Sequence, residues 1–276
     1  MQRIISEHRL DIRGKRVVLK PNLVEFDSNT VINTHPKMVH AALEAFRAAG
    51  AADVRIAEGP GHRRETLDLA DSAGYFSTIP KFESVFTDLN LDEVTKVNLV
   101  RPQSKLNSLY LPQTILGCDL LVSMPKMKTH HWVGATLSMK NLFGLVPGGV
   151  YGWPKNMLHW AGIDECIADL HSLFPKTFAI VDGIVGMEGN GPIQGTPRPV
   201  GVVVAGADPV AVDATCCRIM QIDPQRVGYL RLAAGQDQVR EKWIPQAGEK
   251  IASVATRFAL LAELESFRLS GSGSGS

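Results

Sequence analysis

Short apolar runs that end in polar or turn residues alternate with amphipathic stretches along most of this 276-residue chain. Arg16-Val17-Val18-Leu19-Lys20 is apolar and β-branched, and Pro21-Asn22 ends it. Asp53 to Ala57, Cys118 to Ser123, Thr177 to Val181 and Val200 to Ala205 read the same way, as strands buried on both faces. Between the first two, Met38, Val39, Ala42, Leu43 and Phe46 recur at helical spacing. Thr34 or His35 can cap that helix, Pro36 sits in its first turn, and Gly50 closes it. The same spacing predicts helices from Glu65 to Ala73, Lys155 to Phe174, Pro209 to Ile222 and Pro224 to Ala234. Ser84-Val85-Phe86, Lys96 to Leu99 and Ser108 to Leu111 predict short strands.

The alternation predicts an α/β fold, a largely parallel sheet with flanking helices. It makes one domain of residues 1–269, with 240–269 as a helical extension broken at Pro245 and Gly248. Ser270 to Ser276 alternates serine and glycine, the composition of an engineered flexible linker.

Five of the strands switch to polar residues: at Lys20-Pro21-Asn22, Glu58 to His62, Met124 to His131, Asp182-Gly183 and Asp208-Pro209. Parallel strands would bring these switches to one rim, the carboxyl edge where open α/β sheets bind ligands. The richest stretch runs from Met124 to His159. A core would not select its lysines, because buried unpaired cations are costly. A solvated loop would not need the interleaved Trp132, Leu142, Phe143 and Val146. The pattern predicts a pocket at the carboxyl rim for a small anion, a carboxylate or a phosphate ester. Its expected ligand-binding residues are Lys20, Asn22, Glu58, Lys126, Lys128, Asn141 and Asp182. Lys140, among apolar neighbours, has the setting of a base or nucleophile. His62 and His130 are candidates for proton transfer and His159 for metal ligation. His130 and Lys140 are ten residues apart, so they meet only if the chain turns, and Gly134 offers the place. Asp208 before Pro209 reads as a helix cap. Gly189 to Gly195 reads as a loop able to cover the site.

The net charge of +1 gives no reason to expect nucleic acid as partner. No apolar run spans a bilayer, and the first residues lack a signal peptide's apolar core, so no membrane partner is expected. The four cysteines have no Cys-x-x-Cys spacing and read as reduced thiols of a cytoplasmic protein, with no iron–sulfur cluster in this chain.

Lys20-Pro21-Asn22, Pro125 to His130, Lys140-Asn141-Leu142-Phe143-Gly144, His159, Asp182-Gly183, Gly191-Pro192 and Asp208 to Ala214 together resemble the family called domain of unknown function number 362, from about Val17 to Ala234. Many of its members add a ferredoxin-like segment, which implies an alternative role as an electron-transfer or cofactor-carrier module partnering an iron–sulfur protein. The chain is also similar, more distantly, to the nickel-pincer lactate racemase family. Gly61-His62-Arg63, then His130, Lys140 ten residues on, and His159 follow that family's order. Thr136-Leu137-Ser138-Met139 stands where the racemases keep glycines and an arginine. That resemblance implies a cofactor tethered to Lys140, nickel held by one histidine, and proton transfer next to a carboxylate, as in a racemase or epimerase.

Overall fold

The computed structural model describes residues 1–62, 65–234 and 239–269; the serine–glycine end, 270–276, lies outside them, as does Arg63. The first apolar run forms β1 (Arg16–Pro21) and the next β2 (Asp53–Glu58), paired in parallel. Beyond β2 lies the short β3 (Phe86–Asp88), and on its other side β1 pairs in parallel with β6 (Leu120–Met124). The intervening β4 (Val94–Asn98) and β5 (Ser108–Pro112) form a separate hairpin. Pro125 interrupts β6, and the chain resumes as β7 (Lys126–His130) and turns into β8 (Gly134–Thr136). The long β9 (Phe178–Glu188) pairs in parallel with both β6 and β7. β10 (Thr196–Gly206) runs antiparallel along β9. The mostly parallel central sheet flanked by helices is the fold class expected from the alternation.

Side chains alternate across the strands into two cores. Val17, Leu19, Val122, Met124, Phe178 and Ile180 pack on one face with the helix Pro36–Ala48, whose Met38, Val39, Leu43 and Phe46 are buried. Val18, Leu121, Ala179 and Val181 face the other core, against the helices Ile163–Leu173 and Pro209–Ile219. His35 caps the first of these helices, accepting from the Lys37 amide.

Four expectations are corrected. The strand at Phe178 does not stop at Asp182-Gly183 but runs on to Glu188. Its glycines admit neighbours: a Cβ at Gly183 would lie 2.9 Å from Met127 and Val202, and one at Gly186 2.8 Å from the Met127 carbonyl. Asp208 is not on the common rim. Because β10 is antiparallel, its end at Gly206 lies beside Ala179, near the start of β9, and Asp208 caps the next helix through Val210 N at 2.9 Å. The helix predicted from Lys155 to Phe174 is two helices, Asn156–Trp160 and Ile163–Leu173, divided by Gly162 at φ +109°. Residues 240–269 do not form a terminal helix. They make only the turns Glu241–Trp243, Ile251–Val254 and Ala262–Phe267. Between the last two, Thr256 and Phe258 donate amides to Ile219 and Met220 carbonyls, and the Phe258 ring is buried. Burial of that ring against the main body overrides helical propensity.

Gly134 opens β8 at φ +82°, and a Cβ there would meet the Phe267 ring at 2.8 Å. Gly134→Val should therefore cost about 2–3 kcal/mol and lower the melting temperature by about 5 °C in a thermal denaturation scan. An unchanged melting temperature would refute this account of the turn.

Candidate functional site

The carboxyl ends of β1 and β2 meet in one buried ion pair. Lys20 Nζ donates to Glu58 Oε2 at 2.7 Å, and neither side chain is more than 2% exposed. The remaining bonds of both groups are taken by protein. Glu58 accepts the Leu23 amide at 3.1 Å and the Gly59 amide at 2.8 Å. Lys20 donates also to the Pro21 carbonyl and to Asn141 Oδ1. Asn141 returns its amide to the Lys20 carbonyl and to Ser123 Oγ. Burial lowers the pKa of Lys20, and Glu58 opposes that shift. A second pair, Lys126–Asp182 at 2.6 Å, bridges β7 and β9.

Beside the first pair lies a cavity of about 740 Å³, within the size range of small-molecule sites. Lys20, Asn22, Glu58, His62, Lys128, His130, Lys140, Asn141 and His159 all line it; Lys126 and Asp182 do not. The turn at Gly134 folds β8 back on β7, so that His130 and Lys140 reach the same cavity. Lys140 stands on the short helix Ser138–Asn141, which is held from outside by Asp213. That buried carboxylate accepts the Ser138 amide at 2.8 Å, the Met139 amide at 3.0 Å and the Ser138 hydroxyl. The sequence signals Asp213 only by its place one turn inside a helix.

The lysines differ in their partners. Lys140 Nζ lies 3.8 Å from the centroid of the Phe143 ring and, among the described residues, has no hydrogen-bond or ion-pair partner. Burial first, then the charge of Lys20, lowers its pKa to about 7. Lys128 donates to the carbonyls of Ile32 and Pro192, and burial holds its pKa well below the ordinary range. Lys155 was not among the expected site residues and was expected only as the first residue of a helix. It stands at φ +65°, is buried, and donates to the Gly59 carbonyl at 2.5 Å. Burial lowers its pKa to about 7, with Glu58 opposing.

Two of the histidines each have one ring nitrogen fixed by a backbone contact. His130 Nδ1 accepts the Trp132 amide at 3.1 Å, so its proton sits on Nε2. Burial, followed by Lys140, holds its pKa well below the usual histidine value. In the stacked His131 the other nitrogen pattern holds: Nδ1–H donates to the Gly191 carbonyl at 2.8 Å. His131 also lines the cavity and was not among the expected site residues. His159, whose pKa burial lowers to about 4 against an opposing contact with the Lys155 backbone, has a buried Nδ1 that makes no hydrogen bond of good geometry. Asn22 Oδ1 and Thr136 Oγ1, both of cavity-lining residues, are buried and unpartnered. His62 is exposed at the cavity, and burial is the main cause of its lowered pKa. Among the described residues no three histidine, cysteine or carboxylate side chains are grouped to hold a metal ion by themselves.

Comparison with known proteins places the chain. Residues 17–218 match the family described as Domain of unknown function (DUF362), and the chain belongs to it. The match starts where the motifs did and ends before Ala234. A relative, Thylakoid-associated protein sll1697 of Synechocystis sp., is 30% identical over 223 residues, covering 78% of this chain and 65% of the relative. The chain thus spans just under two thirds of that protein's length. No described helix is long and apolar enough to cross a membrane.

Two substitutions separate the paired lysine from the unpaired one. Lys20→Met strands the Glu58 carboxylate in the interior and should cost about 3–5 kcal/mol. Lys140→Met removes an unpaired amine and should raise stability by about 2 kcal/mol, roughly 4 °C in melting temperature. An unfolded lysine keeps its proton to about pH 10.5, whereas folded Lys140 releases it near 7. Between those values the unfolded chain holds more protons, so wild-type stability climbs with pH. The gain from Lys140→Met should be widest at and below pH 7 and close as pH approaches 10.5, as melting curves across that range would report.

Proposed function

We propose, starting from membership of a family whose description assigns no chemistry, that this chain is an enzyme that binds a small anion and moves a proton next to its carboxylate. The observation that carries this reading is the unpartnered Lys140 amine sharing a cavity with the neutral His130 donor. An amine that titrates near neutrality is unprotonated often enough at pH 7 to act as a base, at some cost in basicity. Lys140 would take the proton from the carbon next to the carboxylate, becoming an ammonium. The electron pair left behind spreads onto the carboxylate oxygens. Nε2–H of His130 would stabilise that charge by a hydrogen bond in a site of low dielectric. Return of the proton to the other face inverts the centre. The four unpaired cysteines support a reducing compartment, hence the cytoplasm, as the setting.

A second reading follows from the buried Nδ1 of His159, which makes no hydrogen bond of good geometry. A nickel-pincer group, as the racemase resemblance implies, fits the residues present: Lys140 as the tether and His159 as the single metal ligand that the chain would need to supply. Bound, it would contribute an electrophilic metal centre. The two uses of Lys140 exclude each other, because an acylated amine is no base; the proton would then pass to His130, His131 or His62. Intact mass of protein from its native host separates them. An added mass mapping to Lys140 favours the tether, and an unmodified Lys140 in active protein rejects it.

Deuterium exchange at the carbon next to the carboxylate, followed by proton NMR on a panel of 2-hydroxy acids in heavy water, tests the base. Exchange should appear with wild type and fall by at least about 100-fold in Lys140→Met, which removes the base. Its kcat/KM should rise through pH 7, as Lys140 loses its proton. Exchange that survives in Lys140→Met would overturn the assignment.

A further inference from the structure

The cavity holds more amines than its buried carboxylate can answer. Its one buried carboxylate, Glu58, is already spent on Lys20 and on two backbone amides. Lys128, Lys140 and Lys155 line the same space, and among the described residues none is in ion-pair contact with an acid. Lys128 and Lys155 reach only neutral carbonyls, which satisfy some of their protons but not their charge. An interior amine without a counter-ion is held in place only at a cost in stability. Asn22 and Thr136 add further buried polar atoms with no partner at the same wall. The amines also come from separate places: Lys128 on β7, Lys140 on the helix Ser138–Asn141, and Lys155 at the turn before Asn156–Trp160. They surround the cavity instead of forming a single-point contact.

We infer that the ligand of this site carries at least two anionic groups, a carboxylate together with a phosphoryl or second carboxylate group, and that Lys155 and Lys128 bind the second one. The inference rests on the reading of Lys140 as the group that faces the reacting carboxylate, and it adds the substrate class. A second anionic group favours the protonated forms of Lys128 and Lys155 and gives both a counter-charge, whereas a monocarboxylate leaves both without one. The cavity of about 740 Å³ has room for both groups on one carbon skeleton. Sites that recognise a terminal phosphoryl or carboxylate group use such amines as point charges with adjustable donors.

Binding of a charge series at fixed low ionic strength tests this. The probes are lactate, malate and phospholactate, measured by calorimetry and by thermal shift with the full chain. Malate and phospholactate should bind at least about tenfold more tightly than lactate, a difference of about 1.4 kcal/mol. Their advantage should shrink as salt rises. Lys155→Met should reduce the ratio of phospholactate to lactate affinity to near one. Lys155→Arg, which keeps the charge, should retain most of the ratio and guards against a mere packing defect. Equal affinity for lactate, malate and phospholactate in wild type would overturn the inference of a second anionic group and leave the Lys140 reading standing. Absence of binding by all three would overturn both. Loss of the ratio in Lys155→Arg as well as Lys155→Met would overturn the assignment to charge.

Discussion

The Lys20–Glu58 ion pair fixes the geometry on which the rest of the site depends. Its two charges come from neighbouring parallel strands, and between them they hold the loop at Leu23, the turn at Gly59 and the side chain of Asn141. Asn141 is the residue after Lys140, so the pair determines where the unpaired amine stands. Gly144 completes the arrangement: a Cβ there would overlap both Glu58 and Lys20. A buried pair of this kind adds little net stability over apolar residues of the same volume. What it supplies here is a fixed position, because each of its hydrogen bonds has one partner and no alternative. The run Lys140-Asn141-Leu142-Phe143-Gly144 is then a single device. Lys140 offers its amine to the cavity, Asn141 is tied to the ion pair, Leu142 and Phe143 are buried in the core, and Gly144 has no side chain to keep the charges apart.

How much of the fold could be read in advance follows from what periodicity reports. Val17 to Lys20, Asp53 to Ala57 and the Met38 to Phe46 helix have strong patterns of one kind, and each element formed where its pattern lay. Glycine was the weak point. At Gly162 it breaks a helix that the apolar spacing carries straight through, whereas at Gly183 and Gly186 it lies inside a strand and admits the neighbouring Met127. The same residue type has opposite meanings, and only the neighbours across the sheet distinguish them. The direction of β10 was equally invisible. A strand and its reverse have the same pattern of side chains, so Asp208 could not be assigned to a rim from local sequence. Residues 255–261 went extended because Phe258 found a buried place there, a tertiary effect with no local signal.

The site was legible to a different depth. Cations and imidazoles at a strand's end announced a cavity, and His130, Lys140, His159 and His62 do line one. The composition did not say which lysines already have partners. Lys20, Lys126 and Lys140 look alike on the page, yet the first two are paired to Glu58 and Asp182 and the third to neither. The carboxylates that pair them lie 38 and 56 residues away in the chain, beyond any local spacing rule. Lys155 was hidden for the opposite reason. It sits beside an amphipathic stretch, where lysines are ordinarily solvated, and its left-handed backbone turns it inward. For the histidines the missing fact was the tautomer, which depends on a single backbone contact: the Trp132 amide for His130 and the Gly191 carbonyl for His131.

The paired and unpaired lysines are also coupled. After burial, the charge of Lys20 is the next cause of the lowered pKa at Lys140, and Lys140 is in turn the next cause at His130 and His159. Lys20 keeps its proton because Glu58 sits 2.7 Å away, and that retained charge is what makes the next amine easier to deprotonate. A neutral residue in place of Lys20 would release Glu58 and remove the positive neighbour together, so Lys140 would lose both its position and its tuning. Burial acts first on both groups, the charge of Lys20 adds to it at Lys140, and the Trp132 amide places the His130 proton on Nε2. A base that titrates near pH 7 and a donor held well below the usual histidine range follow from burial first, and then from the charges set beside them.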